Sequence, residues 1–378
     1  MSTVAVLFAG MNERRVPELT GERTMASVPF GCRYRLIDFT LSNLVNAGIT
    51  KVGVLTHYNY QSLMDHLGTG KDWDLARRHG GIHILPPYVT VSGNTNNNLY
   101  ATRLEALITA RDFIADCRDD LVLLSDCDLI CNMDLSEMIR QHTESGADVT
   151  VAVTKKTVGS DINDISIVHS DADGRIVSVT EYNDNTGAGE EQKDVQMNIV
   201  VADRRFLLSQ LTDALAHGYT SFAKDFLSRG AAQYNFRIYR YEGYFETIRS
   251  ISEYYARSMD LLDPAISHQL FQVKNFPVLT KVRNSVPTTY SGNSMVKNSL
   301  IADGCVIEGI VENSIIFRGV HIGKNTSIEN CIIMQDSYIG NNVYLNCVIT
   351  DKTVTIRDGR VLSGHEKRPF YIEKKAEV

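Results

Sequence analysis

Val4-Ala5-Val6-Leu7-Phe8-Ala9-Gly10 is a short apolar run that ends in glycine, and it predicts a buried β-strand followed by a loop. Similar runs recur at 51–55, 121–124 and 149–153, with helical patterns at 36–46 and 99–113 between them. Apolar runs that alternate with helices predict an α/β fold with a doubly wound, mostly parallel sheet. Ligands of such a sheet bind beyond the carboxyl ends of its strands. We therefore expect functional residues in the loops at 9–15 and 125–128.

The C-terminal part of the chain shows a different period. Aliphatic residues recur every six positions, with one slip of a single residue: Ile310, Ile316, Ile322, Ile328, then Ile333, Ile339 and Leu345. This period places one aliphatic side chain from each short strand inside a triangular coil. Residues suited to tight corners stand between them: Gly323, Asn325, Gly340 and Asn342. The pattern predicts a left-handed parallel β-helix rather than a β-sandwich, whose strands would alternate with period two.

Length and composition limit the class of protein. A chain of 378 residues suits two domains, and we predict a sheet domain at 1–262, a linker at 263–292 and the β-helix at 293–378. A net charge of −7 without a Lys/Arg cluster argues against nucleic acid or an anionic membrane as the main partner. No apolar run is long enough to cross a bilayer, and the N-terminus has no basic leader, so we expect a cytoplasmic protein.

The seven cysteines predict neither disulfides nor a metal centre. They are scattered without paired short spacings, which fits a reducing compartment. Cys127 and Cys131 are close in sequence, but no second Cys/His pair completes a set of four metal ligands. We expect these thiols to be buried structural groups.

A long series of motifs runs from the first strand into the β-helix. It comprises Phe8-Ala9-Gly10, Arg15, Arg23, Val28-Pro29-Phe30-Gly31, Tyr34-Arg35-Leu36-Ile37-Asp38-Phe39, Asn46-Ala47-Gly48-Ile49, Asp128, Met133-Asp134, Gly174-Arg175-Ile176, Glu181, Gly243-Tyr244-Phe245 and Met259-Asp260-Leu261-Leu262. With the hexapeptide segment, these motifs resemble bacterial glucose-1-phosphate adenylyltransferases over nearly the whole chain. The resemblance implies a Rossmann-like, GT-A-like nucleotidyltransferase domain before the β-helix. It also implies a reaction in which ATP and glucose 1-phosphate give ADP-glucose and pyrophosphate.

Several phosphate-binding groups of that family are replaced in this chain. A site for this reaction holds many negative charges with glycine-rich backbone, Arg/Lys side chains and Mg²⁺. The family opening Gly-Gly-x-Gly-x-Arg becomes Gly10-Met11-Asn12-Glu13-Arg14-Arg15, so only Gly10 and Arg15 remain and Glu13 adds negative charge. Met25 stands where the family has a lysine. An apolar side chain cannot stabilise phosphate charge.

The metal and sugar-phosphate positions are also altered. Asp128 matches the family's metal-binding aspartate, but the second metal carboxylate aligns with Thr247, a poor Mg²⁺ ligand. Glu246 could stand in, although neighbouring side chains of an extended segment point to opposite faces. Glu-Lys-Pro becomes Glu181-Tyr182-Asn183, which removes a phosphate-binding lysine. The family's Trp-x-x-Gly-Thr-Ala-Asp text becomes Val91 and Asn94-Thr95-Asn96-Asn97, without the aromatic residue.

These losses predict that no catalytic set is intact, with Arg15 and Asp128 as remnants. The pattern resembles the GlgD-type regulatory subunit, which implies a catalytically deficient partner of a catalytic adenylyltransferase subunit in glycogen biosynthesis. A hetero-tetramer is expected, with a homo-oligomer as the alternative, and the regulatory role requires no cofactor. The alternative function is an active ADP-glucose-forming nucleotidyltransferase that uses Asp128, Arg15 and Mg²⁺. A third possible function, that of an acyltransferase, is supported by the hexapeptide repeat alone.

Two further sets of residues are candidates for ligand binding. Gly10 and Glu181 are predicted to contact a nucleotide or sugar phosphate that binds without turnover, because pocket shape and hydrogen bonds can outlast lost catalytic groups. Arg23 and Arg35 resemble family residues near an anionic effector site, and guanidinium groups suit phosphate. Alternatively, either arginine pairs with a carboxylate such as Glu22 or Asp38.

Overall fold

The computed structural model describes residues 1–11, 15–86, 100–157, 165–182 and 192–378. They form two compact units, of which the first comprises Met1–Met11, Phe39–Tyr60 and Gly68–Phe245, and the second Asn12–Asp38, Gln61–Leu67 and Glu246–Val378. This division differs from the sequential domains predicted above, since two N-terminal segments belong to the second unit. Packing explains the difference, because Tyr254 donates a 2.8 Å hydrogen bond to the carbonyl of Pro29 within that unit.

Strands and helices alternate through the first two-thirds of the chain. The strands are β1 (Thr3–Phe8), β2 (Pro29–Phe30), β3 (Tyr34–Arg35), β4 (Lys51–Leu55), β5 (Gly81–Leu85), β6 (Leu121–Asp126), β7 (Leu129–Ile130), β8 (Val149–Thr157), β9 (Ile165–Ser170), β10 (Ile176–Tyr182), β11 (Gln192–Asp203), β12 (Phe236–Arg240) and β13 (Glu246–Thr247). The α-helices are α1 (Pro17–Thr20), α2 (Leu36–Asn46), α3 (Gln61–Leu67), α4 (Arg103–Thr109), α5 (Arg111–Ala115), α6 (Leu135–Ser145), α7 (Arg204–His217), α8 (Arg229–Ala231), α9 (Ile251–Met259) and α10 (Pro264–Phe271). The other helical elements among the described residues are three 3-10 turns (Met25–Ser27, Lys71–Trp73, Asp260–Leu262) and a π-helix (Phe222–Ser228). The predicted linker therefore contains a helix, α10.

The first unit is built on one mixed sheet. Among the described residues, nine strands pair in it, in the order β10-β9-β11-β6-β1-β4-β5, and β8 pairs with both β11 and β12. Strands β5, β4, β1 and β6 are parallel neighbours, as their apolar runs predicted. Strand β11 is antiparallel to both β6 and β8. The predicted strand at 149–153 thus belongs to the same sheet but is separated from the parallel group by β11.

A continuous core fixes the carboxyl ends of the parallel strands. Val6 of β1 and Leu124 of β6 are buried in one cluster with Leu107 of α4 and Leu211 of α7. Burying a side chain of this size contributes roughly 1.5–3 kcal/mol relative to leaving it in water. The loops that follow β1 and β6 therefore start from rigid positions.

The second unit contains a three-sided β-helix, as predicted. Its strands are β14 (Thr289–Tyr290), β15 (Met295–Lys297), β16 (Leu300–Ile301), β17 (Val306–Ile307), β18 (Ile310–Glu312), β19 (Ile315–Ile316), β20 (His321–Ile322), β21 (Ser327–Glu329), β22 (Ile332–Ile333), β23 (Tyr338–Ile339), β24 (Tyr344–Asn346), β25 (Val348–Thr350), β26 (Thr355–Ile356), β27 (Val361–Ser363) and β28 (Phe370–Ile372). They form three parallel sheets of five strands each, the arrangement of a left-handed parallel β-helix.

The length of one coil explains the slip in the six-residue period. Ile315 pairs with Ile332, and Ile332 pairs with Ile349, so these two coils take 17 residues each, one fewer than three hexapeptides. Ile310 was predicted to point inwards, and this is wrong: it is 38% exposed, whereas Val311 is 0% exposed. The inward Val311 lies five positions before the inward Ile316 rather than six, because the corner between β18 and β19 has two residues whereas the corner between β19 and β20 has four.

The corners use the residues that the sequence suggested. Asn325 and Asn342 adopt φ of 56° and 55°, in the left-handed region that asparagine tolerates. A Cβ on Gly323 would lie 2.6 Å from the carbonyl oxygen of Gly340, so this position requires glycine. All seven cysteines lie among the described residues, are buried and form no disulfide. A helix that could span a membrane is absent from the part of the chain that the structure describes.

Candidate functional site

The carboxyl end of β6 carries a buried carboxylate held by an arginine. Asp126 is the last residue of β6 and is 1% exposed, and the guanidinium of Arg103 forms an ion pair with it through Nη2. The Nη1 atom of Arg103 donates to Oδ1 of Asn198 at 3.1 Å. Asn198 lies in β11 with φ of 60°, where the strand's register shifts. Sequence reasoning missed all three residues, although Asp126 stood in the strand-end text Ser125-Asp126-Cys127-Asp128.

Local sequence places Arg103 at the first position of α4. Thr102 caps the helix by accepting a hydrogen bond from the backbone N–H of Glu105 at 3.2 Å. The carboxylate of Glu105 accepts from the backbone N–H of Thr102 at 3.0 Å, which completes a capping box. The guanidinium carbon of Arg103 lies 5.6 Å from the ring centroid of Phe8 and 5.7 Å from that of Phe222, so cation–π contacts add to the ion pair.

The structure places the predicted site residues of the first unit in different surroundings. Gly10 is buried directly after β1, and Asp128 is buried two residues beyond Asp126. Burial, with these two carboxylates beside it, raises the pKa of the intervening Cys127 well above its usual value. Glu181 is exposed, and its carboxylate lies 3.1 Å from Nζ of Lys224. Tyr182 is 3% exposed, and its hydroxyl finds no hydrogen-bond partner among the described residues.

Two predicted catalytic positions of the second unit, Met25 and Thr247, carry no charge where the resemblance implies it. Met25 is buried in the 3-10 turn Met25–Ser27. Thr247 is half-buried in β13. Its neighbour Glu246, the possible substitute carboxylate, lies 3.2 Å from the guanidinium of Arg257. Arg15 is exposed at the start of this unit.

The two predicted effector arginines have partners within the second unit. Arg23 is 2% exposed and makes two hydrogen bonds of 2.8 and 2.7 Å to the carboxylate of Asp351. Its partner is therefore neither Glu22 nor Asp38. Nη1 of Arg35 donates to the backbone oxygen of Ser62 at 2.6 Å and to its hydroxyl at 3.0 Å. Nη1 of Arg23 is buried and has no hydrogen-bond partner among the described residues.

A third basic residue, Lys352, shares this environment, and sequence reasoning missed it. Burial, reinforced by repulsion from Arg35 and Arg23, lowers the pKa of Lys352 to about 7. Burial likewise lowers the pKa of Arg35 to about 10, against the opposing effect of Asp38. The carboxylate oxygen Oδ1 of Asp38 lies 2.6 Å from Nε2 of His66, and burial lowers the pKa of His66. A bound anion would stabilise the charged form of Lys352.

The residues present fit a two-carboxylate Mg²⁺ site poorly. Asp128 offers one carboxylate, but Thr247 offers only a neutral hydroxyl at the second position. Within the described ranges, no group of three or more His, Cys, Asp or Glu side chains could hold a metal ion. Several residues of the sequence comparison lie outside the described residues: Asn12, Glu13, Arg14, Val91, Asn94-Thr95-Asn96-Asn97 and Asn183.

Comparisons with known proteins give the same family as the motifs. Residues 4–201 match the nucleotidyl transferase family model, and residues 284–369 match the model for the GlmU-like C-terminal hexapeptide. The glycogen biosynthesis protein GlgD of Bacillus subtilis is 34% identical over 94% of this chain and 91% of its own length. The glucose-1-phosphate adenylyltransferase of Halalkalibacterium halodurans is 34% identical over 86% of this chain and 83% of its own. This chain belongs to the glucose-1-phosphate adenylyltransferase family. The enzyme of that name from Fervidobacterium nodosum is 30% identical over 99% of this chain and 88% of its own length.

Family membership confirms the resemblance and the fold class predicted from the sequence. It covers both the nucleotidyltransferase domain and the hexapeptide β-helix. The Arg103–Asp126–Asn198 group lies at the edge of the sheet where ligands of such folds bind.

Proposed function

We propose that this chain is a catalytically deficient regulatory subunit in glycogen biosynthesis. It would modulate a catalytic homologue that makes ADP-glucose from ATP and glucose 1-phosphate. One observation carries the proposal: Met25, Tyr182 and Thr247 occupy positions where the family resemblance implies two lysines and a carboxylate. Met25 and Tyr182 are buried, and neither side chain carries a charge at neutral pH. The similarity to a protein named for glycogen biosynthesis supports the pathway.

The expected loss of activity follows from electrostatics. Transferring an adenylyl group develops charge around phosphorus, and fixed cations aimed at that charge stabilise the transition state. Removing one such contact commonly lowers kcat by about 10²–10³-fold. Three such losses should leave no useful turnover, even though such effects are not additive.

A regulatory role requires assembly with the partner. A modulator acts only if it binds the active state of its partner more tightly than the inactive state, and a preference of about 1–3 kcal/mol changes affinity about 5–150-fold. The β-helix retains its full set of buried aliphatic side chains from Val311 to Ile356. We propose the β-helix and the outer surface of the first sheet as the assembling surfaces of a hetero-tetramer.

Co-expression with a catalytic subunit tests this role. The two chains should co-elute on size-exclusion chromatography, and the partner's substrate or effector response should change several-fold on assembly. The catalytic subunit alone, at the same concentration, is the control. Failure to co-elute, or co-elution without any kinetic change, would contradict the proposal. Turnover by this chain alone would support the active-enzyme alternative that uses Asp128 and Arg15.

We also propose an anionic effector at Arg23 and Arg35. Two observations support it: Nη1 of Arg23 is buried without a hydrogen-bond partner in the described part of the chain, and the pKa of Lys352 is lowered. The pairing of Arg23 with Asp351 opposes it. Asp351→Asn removes the competing carboxylate, so it should tighten sulfate or sugar-phosphate binding measured by calorimetry. Arg35→Gln should weaken the same binding, and no response in either variant would rule out the site.

A further inference from the structure

The last coil of the β-helix ends differently in two of its three sheets. In one sheet, the segment 376–378 adds to strand β26: the N–H of Thr355 donates to the carbonyl of Ala376, and the N–H of Val378 donates to the carbonyl of Thr355, both at 2.9 Å. In the next sheet, β27 is the last strand, and among the described residues it pairs with β24 alone. The chain itself therefore extends the first of these sheets, while the second ends in an open edge.

Two residues of β27 direct their backbone groups towards this open edge. The N–H of Gly364, just after the strand, donates to the carbonyl of Asn346 beside β24 at 2.8 Å. Because successive residues of a strand point their backbone groups to alternate sides, those of Val361 and Ser363 point away from β24. These groups find no backbone partner in the part of the chain that the structure describes. An edge of this kind is a template for a further strand.

The segment that the chain adds to β26 shows which sequence suits the end of this β-helix. Ala376 and Val378 pack against the buried core of the coil. Glu377 stands between them, opposite Thr355 in parallel register, and its carboxylate lies 2.9 Å from Nε of Arg357. The hydrogen bond from Arg357 lowers the pKa of Glu377. The added strand thus combines an inward apolar row with a carboxylate that an arginine of the last coil binds.

Basic side chains also flank the open edge of β27. Arg360 precedes the strand, Lys367 and Arg368 lie in the loop that follows it, and all three are exposed. They form no ion pair within the described ranges. Glu366 is the only carboxylate between β27 and β28. Val361, on the strand itself, is 69% exposed. The edge therefore offers an apolar side chain between two ends that carry excess positive charge.

We propose that the open edge of β27 binds an extended, acidic segment of a partner protein as an additional strand. Backbone hydrogen bonds to Val361 and Ser363 hold the segment, as in other cases of strand addition to a sheet edge. An apolar residue of the segment covers Leu362, which is only partly buried at the end of the core. Its carboxylates pair with Arg360 and Arg368, as Glu377 does with Arg357. The inference goes beyond the proposed function, because it assigns a second kind of partner and involves neither catalysis nor the catalytic subunit.

A short, fluorescently labelled peptide of alternating valine and glutamate tests this edge on the full isolated chain. Fluorescence anisotropy should show saturable binding. Hydrogen exchange at the amides of Val361 and Ser363 should slow when the peptide is bound, because both N–H groups become hydrogen-bonded. The same peptide with lysine in place of glutamate is the control and should not bind.

Two variants separate strand addition from simple attraction of charge. Arg360→Glu should weaken binding about 5-fold or more, because an attraction becomes a repulsion. Lys324→Glu makes the matched change at an exposed lysine elsewhere on the β-helix and should leave binding unchanged. Ser363→Pro keeps every charge but removes an N–H of the open edge, so binding should be lost. Its thermal midpoint should stay close to that of the wild type, since this N–H does not bond to β24.

Several results would overturn the proposal. They are the absence of binding by the glutamate peptide, equal binding of the lysine peptide, and full binding by Ser363→Pro. Dimerisation of the chain without any peptide, if Ser363→Pro abolished it, would assign the edge to a second copy of the chain and also contradict the proposal.

Discussion

Arg103 pairs with Asp126 at the carboxyl end of the central strand β6, at the sheet edge where ligands of such folds bind. Asn198 and two aromatic rings hold the guanidinium of Arg103 in place. The two opposite charges largely cancel, so the pair adds little net charge at this edge.

Breaking the Arg103–Asp126 pair should destabilise the first unit. Arg103→Met leaves the buried carboxylate without its guanidinium, a change that costs about 3–5 kcal/mol for a buried pair. The double variant Arg103→Met/Asp126→Asn should lose less than the sum of the single variants. Urea unfolding monitored by the fluorescence of Trp73, the one tryptophan of the chain and part of the first unit, measures both.

Arg140→Met is the matched control for that experiment. Arg140 is exposed on α6 and pairs with Glu137 and Glu144, so its removal should change the unfolding midpoint very little. An Arg103→Met variant as stable as the Arg140→Met control would contradict a structural role for the buried pair.

Lys352 should make stability depend on pH above neutrality. Its pKa is about 7 in the folded chain against an ordinary value of 10.5. Between these values the unfolded chain binds the proton that the folded chain releases, so stability rises with pH, by at most about 1.4 kcal/mol per pH unit. Below about pH 7 this residue should contribute no slope.

Lys352→Met isolates that contribution. We expect the difference in unfolding free energy between variant and wild type to shrink as pH rises from 7 to 9.5, since the methionine never carries a charge. Chemical unfolding followed by circular dichroism at several pH values measures it. A difference that stays constant across this range would show that Lys352 titrates normally in the folded chain.

A pair of isoleucine variants tests the corrected register of the β-helix. The six-residue period assigned Ile310 and Ile316 to the same inward row, whereas the structure exposes the first and buries the second. Ile316→Ala should therefore destabilise the chain by about 2–5 kcal/mol, because it leaves a cavity in a packed core. Ile310→Ala should cost far less. Equal losses in the two thermal or chemical unfolding experiments would restore the predicted register.

Sequence reasoning found the elements whose signal is local. The runs at β1, β4, β6 and β8 and the helix at 36–46 were predicted because burial imposes a period on neighbouring residues. Ile310 was wrongly predicted to point inwards, because a repeat shows the average period but not which corner of the coil is shorter. The loss of charge at Met25, Tyr182 and Thr247 was predicted by comparison with a family motif, because the type of residue at a position can be read from the sequence alone.

The groups missed by sequence reasoning are assembled by tertiary contacts. Arg103, Asp126 and Asn198 come from three elements separated by up to 95 residues, and no spacing connects them. The open edge of β27 depends on which strands pair in the last coil. The lowered pKa of Lys352 depends on burial beside Arg35, which lies more than 300 residues earlier in the chain.

The most direct test of the central claim is pyrophosphate release by the purified chain alone, with ATP, glucose 1-phosphate and Mg²⁺, compared with a catalytic homologue at the same concentration. The account predicts no release above the enzyme-free blank, and no difference between the wild type and an Asp128→Asn variant. Release at a rate near that of the homologue, abolished by Asp128→Asn so that it cannot come from a host enzyme, would contradict it.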